Sequence, residues 1–186
     1  MLETPKHDEP VSGAPRPLPT PNRLQELLFD AARLGRVDVL PALIHVGANV
    51  GCIDAKGHTP LILASYHGHE EATAFLLDAG AVVDQGDLSR GNTALMGVAF
   101  KGYENISRLL LARGACPNAR NYSGQTALMM AAMFGRSRIV EMLLDVGADI
   151  SLTDAAGNSA LSLAGDQRNI PLVGFLRSRW PAGRIT

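Results

Sequence analysis

Two stretches decide the fold: 56-KGHTPLILASYHGHEEATAFLLDAGA-81 and 90-RGNTALMGVAFKGYENISRLLLARGA-115. They align without a gap, and 123-SGQTALMMAAMFGRSRIVEMLLDVGA-148 continues the series. A fourth copy, 156-AGNSALSLAGDQRNIPLVGFLRSRW-180, follows in register. Their lead glycines, Gly57, Gly91, Gly124 and Gly157, are spaced 34, 33 and 33 residues apart. Upstream, 27-LLFDAARLGRVDVLPALIHVGA-48 supplies a unit without its turn, with Gly35 and Gly47 in phase with Gly68 and Gly80. Self-similarity at this period marks a helical solenoid, in which each unit buries its apolar face only against its neighbours.

Each recurring position has a mechanical role. Thr59, Thr93, Thr126 and Ser159 put a hydroxyl where a first helix begins and are expected to cap it. Pro60 follows at the first helical position, where its missing N–H is harmless. Gly68, Gly102 and Gly135 separate the first helix from the second, and Gly47, Gly80, Gly114 and Gly147 end the second. The pairs Leu76/Leu77, Leu110/Leu111 and Leu143/Leu144 are expected to bury the second helix. Asn22 is the expected cap of the opening helix. The last unit has Arg168 in the register of the separating glycine, and it ends on Arg177, Arg179 and Arg184.

These residues resemble the ankyrin repeat. The family pattern G-x-T-P-L-H-x-A-A, then G-H, then an apolar run and G-A, appears as GHTPLILASYHGH and FLLDAGA. The resemblance covers about Leu24 to Trp180 and implies an all-α solenoid of helix-turn-helix units joined by β-turn or hairpin-like loops. The expected divisions are a Pro-rich disordered leader over 1–21, a repeat domain over 22–180 and a tail over 181–186. The five units are 22–54, 55–87, 88–121, 122–154 and 155–180. A short stand-alone array rich in Ala, Gly, Leu and Arg points to a bacterial source.

The pattern is departed from in three places. The family histidine after T-P-L is replaced by Ile62, Met96, Met129 and Ser162, so the tie between turns is expected to be weaker or apolar. Gly97 stands where Leu63 and Met130 stand, either as a re-solved core or as a point of close approach. The turn before the third unit is one residue longer, with Asp84, Asp87 and Arg90 assigned to its tip.

Composition excludes several functions. The chain has 186 residues and a formal net charge of -1, which gives no overall pull toward nucleic acid or an anionic membrane. Six of its eleven prolines fall in the first 21 residues, where no secretory signal is found, and no apolar run has membrane length. Cys52 and Cys116 fall in non-adjacent units and read as free thiols of a reducing, cytoplasmic environment. No G-x-S-x-G, P-loop, H-E-x-x-H or C-x-x-C occurs, so no catalytic activity is expected. The corner YHGHEE, with His67, His69 and upstream His58, is the one metal-enzyme alternative. An H-x-H loop supplies two ligands at most, so no metal or cofactor is expected.

The resemblance implies a protein-binding module. In the family, contacts come from turn tips and from the last exposed turn of each first helix. Here the second set gives a stripe of Leu34, Tyr66, Phe100, Met133 and Phe134, with His67 and Lys101 beside it. Helices packed about 10 Å apart would make it a strip on the order of 20–30 Å long. Lys56, His58, Arg90, Asn92, Tyr122, Ser123 and Gln125 form its expected polar rim. Within Gly124–Arg136, which holds three of the six methionines, Met130 is assigned to the core and Met129 to a half-buried layer. Met133 and Phe134 are assigned to the working face. The expected partner is a protein bound by a monomer, as adaptor, inhibitor or maturation partner. Self-association through the same stripe is the structural alternative.

Overall fold

The computed structural model describes residues 19–180. The expectations for residues 1–18 of the leader, for Arg184 and for the tail lie outside the described residues. The described chain holds ten helices in five pairs. The first helices are α1 (Pro21–Leu34), α3 (Pro60–Tyr66), α5 (Ala94–Lys101), α7 (Ala127–Met133) and α9 (Ala160–Asp166). The second helices are α2 (Leu40–His45), α4 (Glu70–Asp78), α6 (Glu104–Ala112), α8 (Ser137–Asp145) and α10 (Ile170–Arg179). No strand occurs among the described residues, and the only bridge is the isolated pair Thr153–Ser159.

The caps form as the hydroxyl spacing predicts. Thr59, Thr93 and Thr126 accept from the amides of Ile62, Met96 and Met129. Ser159 and Ser162 complete a reciprocal capping box. At the opening helix the assignment needs correcting. Thr20, not Asn22, is the cap, because Pro21 already occupies the first helical position and Thr20 accepts from Arg23.

First helices pack on first helices more closely than second helices pack on second helices. That asymmetry curves the stack and makes the first-helix side its inner face. The core is aliphatic and continuous, running from Leu28 through Leu61, Leu95, Leu128 and Ile139 to Leu172. Of the leucine pairs, Leu76, Leu110 and Leu143 are fully buried, whereas Leu77, Leu111 and Leu144 are only half-buried. One residue of each pair points inward, as a short helix with a single apolar stripe requires.

Where the family histidine is missing, its position is apolar and buried in three repeats, at Ile62, Met96 and Met129. The backbone ties successive turns directly: Leu88 N–H donates to Gly57, Tyr122 N–H to Arg90 and Ala155 N–H to Ser123, at 2.8–3.1 Å. A second device sits between the two helices of each pair. A Cβ on Gly102 would meet the Arg136 side chain at 2.9 Å, and the same position on Gly35 would meet His69 at 2.5 Å. The residue after each separating glycine thus folds over the separating glycine of the preceding unit. Arg168, in that register, has φ 55°, the only positive φ outside glycine among the described residues.

Candidate functional site

A groove of about 960 Å³ runs along the inner face. Its floor is made by α3, α5 and α7, which contribute Leu63, Tyr66, Gly97, Phe100, Met130 and Met133. Phe134 follows directly after α7, and the turn residues Lys56, His58, Arg90, Asn92 and Gln125 form one wall.

The aromatic residues form a ladder. The rings of Tyr66 and Phe100 stack at 6.2 Å with 10° between their planes. Phe100 meets Phe134 edge-on at 4.4 Å. Such pairs prefer offset or edge-to-face arrangements, and each fixes the orientation of the next. Lys101 Nζ lies 5.1 Å from the Tyr66 centroid and 5.9 Å from that of Tyr103. Tyr66 and Phe134 keep 39% and 41% of their surfaces exposed, so the ladder is anchored at its centre and open at both ends. Gly97 explains why it fits. A Cβ there would touch Tyr66 Cδ2 at 3.4 Å, so the larger side chains found at this register in α3 and α7 would fill the space the ring occupies. Gly97 is a point of close approach.

Not every expected residue lines the groove. Leu34 is 66% exposed and outside it, and Arg33 lines the groove at that end instead. Lys101 reaches it only over the Tyr66 ring, while Tyr122, 70% exposed, and Ser123 do not line it. Tyr122 instead lies against Gly91, on the far side of the turn. His67 does line it. The two methionine assignments are reversed. Met130 is half-buried and lines the groove. Met129 is 1% exposed and packs fully into the core.

A set of structural residues was missed by the sequence reading. Asp54, Asp87, Asn121 and Asp154 each fold a turn around a side-chain oxygen. Asp54 Oδ1 accepts from the amides of Lys56 and His58, and Asp154 Oδ1 from those of Ala156 and Asn158. Asn121 Oδ1 does the same for Ser123 and Gln125. In the longer turn Asp87 is buried rather than at the tip, and it needs both oxygens. Its Oδ1 accepts from the amides of Ser89 and Arg90, and its Oδ2 from that of Asn92. Their recurrence every 33 or 34 residues was the available signal.

Ionisation follows from these contacts. Partial burial pushes Asp54 upward, but the amides of His58 and Lys56 and the adjacent imidazole outweigh it and hold the carboxyl below its usual range. Asp87 is lowered in the same way, its burial outweighed by Ser89 and the amides around it. His67 is lowered by burial first, and then by the neighbouring His69, Arg33 and Lys101. His69 Nε2 is committed to the Arg33 carbonyl at 2.9 Å, so the histidine corner is used in packing the first two units together. Among the described residues no three His, Cys, Asp or Glu side chains are grouped to hold a metal ion. Burial pushes the Cys52 thiol up to about 11, which leaves it protonated and a poor nucleophile at neutral pH. Cys116 is exposed, and both thiols are free. No helix among the described residues is long and apolar enough to cross a membrane.

Comparison with known proteins agrees with the fold. The family model described as ankyrin repeats (3 copies) matches residues 28–121, and the one described as ankyrin repeats (many copies) matches 109–164. An ankyrin repeat-containing protein of Treponema pallidum (strain Nichols) is 38% identical over 90 residues, covering 48% of this chain and 30% of its own length. The human ankyrin repeat and KH domain-containing protein 1 is 38% identical over 91 residues, covering 48% of this chain and 4% of that protein. The mouse B-cell lymphoma 3 protein homolog is 35% identical over 112 residues, covering 56% and 21%. The chain therefore spans less than a third of each of these relatives, and their spread from a spirochaete to mammals does not single out a bacterial source. Repeats of this kind build protein–protein interaction modules, and the chain belongs to the ankyrin-repeat family.

Proposed function

We propose that this chain is a non-catalytic binding module that seats a protein partner in its inner groove, with the Tyr66–Phe100–Phe134 ladder and Met130 and Met133 as apolar anchors. The observation that carries the reading is that aromatic side chains converge in a preformed concavity yet stay partly open to solvent. Aromatic residues and methionine are the side chains that dominate interface hot spots, and a rigid groove spends little ordering entropy on binding. Lys56, His58, Arg90, Asn92 and Gln125 supply the polar wall that sets specificity. The partner's use of the module as adaptor, inhibitor or maturation factor follows from what the groove occupies. In this reading the module acts as a monomer in a reducing, cytoplasmic setting.

The test is crosslinked affinity capture from the native cell with wild type, Phe100→Ala/Phe134→Ala and Gly97→Leu. The double variant removes anchors, whereas Gly97→Leu fills the groove without removing any. A protein captured by wild type and lost by both variants, with melting temperatures within a few degrees of each other, supports the groove. A partner retained by both places the interface elsewhere.

A further inference from the structure

The groove's charges are sorted by availability. Its carboxylates are engaged: Asp87 accepts backbone amides of its own turn at both oxygens, and Asp54 accepts two at Oδ1 while its Oδ2 faces Arg33. Its cations are not. Among the described residues no carboxylate stands within ion-pair distance of Lys56, Arg90 or Lys101. Lys56 and Arg90 are exposed on the wall, and Lys101 stands over Tyr66 at the edge of the floor. Arg33, at the end of the groove, is the one cation there with partners, Asp30 at 3.0 Å and Asp54 at 3.9 Å. Of the outer helices, α4 and α8 are net acidic, with Glu70, Glu71, Asp78, Glu141 and Asp145 against a single Arg138, while α6 is balanced and α10 carries Arg177 and Arg179.

Resting on the groove reading above, we propose that the partner presents an acidic segment built around an apolar side chain. The apolar group seats between Tyr66, Phe100 and Phe134, and flanking carboxylates pair with Lys56 and Arg90 on the wall and Lys101 beside the floor. Free cations at the margin of an apolar floor attract such a segment and orient it, while a basic segment would face like charge with no carboxylate to relieve it. Single-stranded nucleic acid is a poorer occupant, because Phe100 stacks on Tyr66 and meets Phe134 edge-on, so the rings do not stand apart as successive platforms for bases.

The test is selection of random dodecapeptides on the full chain at low salt, run in parallel on Lys56→Glu/Arg90→Glu and on Phe100→Ala/Phe134→Ala. Selected peptides and a twelve-residue thymidine oligonucleotide are then titrated by fluorescence anisotropy. The expected result is enrichment of Asp and Glu flanking Leu, Phe or Trp. Affinity should fall about tenfold or more on charge reversal, and also as salt rises from about 50 to 300 mM. Enrichment of neutral or basic peptides, no enrichment at all, or tighter binding of the oligonucleotide overturns the proposal. Acidic peptides that bind Phe100→Ala/Phe134→Ala as well as wild type overturn the groove reading itself. Neutral peptides that need the aromatic ladder leave the groove standing and remove only its acidic occupant.

Discussion

Replacing Arg168 with glycine should stabilise the protein. Arg168 is held at φ 55° in the loop between α9 and α10, at the register where the other four units have glycine. Its amide donates to Gly165 at 2.8 Å and Asn169 N–H donates to Ala164, so the loop geometry is fixed whichever residue stands there. The side chain is exposed and makes no hydrogen bond or ion pair with a described residue. A left-handed backbone costs an L-residue roughly 1–2 kcal/mol. Glycine gives back roughly 0.5–1 kcal/mol through its greater freedom in the unfolded chain. The two ranges leave a net gain of about 0–1.5 kcal/mol, or up to about 6 °C in Tm for a domain of this size. Repeat arrays can lose terminal units first, so the readout should be local as well as global. Trp180, the sole tryptophan, follows directly after α10 and reports the last unit by fluorescence, while helix content reports the whole. The fluorescence transition should move at least as far as the helical one. Arg168→Ala, which keeps the left-handed strain, should give no gain, and Arg168→Asn should fall between. If Arg168→Gly and Arg168→Ala melt together, backbone strain is not what this position costs.

Two further perturbations probe the frame. Leu143→Ala should cost about 2–5 kcal/mol, since the side chain is fully buried in the single core and leaves a cavity; urea unfolding measures it, and a loss under about 1 kcal/mol would mean the core collapses around the gap. The turn carboxylates should make stability fall in acid. Asp54, Asp87 and Asp154 are all lowered, so the folded state binds fewer protons; their contribution is complete above the unfolded value of about 3.9 and is lost as pH falls through the folded values. Asp154→Asn should be tolerated within about 0.5 kcal/mol at neutral pH, because a single oxygen accepts both amides, as Asn121 does naturally. Asp87→Asn should cost about 1–3 kcal/mol, because the Asn92 amide then faces an NH₂ group; equal losses for the two variants would show that the longer turn has another acceptor.

The frame was legible because its signals are local. A hydroxyl at a helix start or a glycine between helices acts on the backbone within a few residues, and Thr59, Thr93, Thr126 and Ser159 do what their spacing predicts. The groove was legible only in part, because its lining depends on which neighbour is missing. Met130 and Leu63 share a register and both line the groove, yet Leu63 is buried and Met130 only half-buried, a difference that no single position of the repeat announces. Met129, one position earlier, is buried as Ile62 and Met96 are at the same register, where only Ser162 of the last unit is exposed. Leu34 misled because the first unit lacks its own turn, so the groove meets Arg33 there. The turn carboxylates were hidden in a different way. Their partners are backbone amides, which every sequence possesses, and only the recurrence of Asp or Asn betrays them.

The same distinction bears on the charge. A formal net charge of -1 argues against a general pull toward polyanions, and at distances beyond the screening length of about 8–10 Å it is the relevant quantity. A bound segment experiences the field a few ångströms from Lys56, Arg90 and Lys101, where the nearby acids have already been claimed by amides. Those acids do not cancel the cations; by folding the turns they place them. Asp54 orders the turn that presents Lys56, and Asp87 orders the longer one that presents Arg90. The extra residue and the second carboxylate oxygen belong together: the insertion moves the Asn92 amide, the equivalent of those of His58, Gln125 and Asn158, one position further from Asp87, and Oδ2 accepts it while Oδ1 takes the amides of Ser89 and Arg90. On this reasoning Asp87→Asn should weaken binding of an acidic segment even though it makes the wall more positive, because it loosens the turn that aims Arg90. Simple charge counting gives the opposite sign, so anisotropy titration of this one variant separates a groove that works by net charge from one that works by placement.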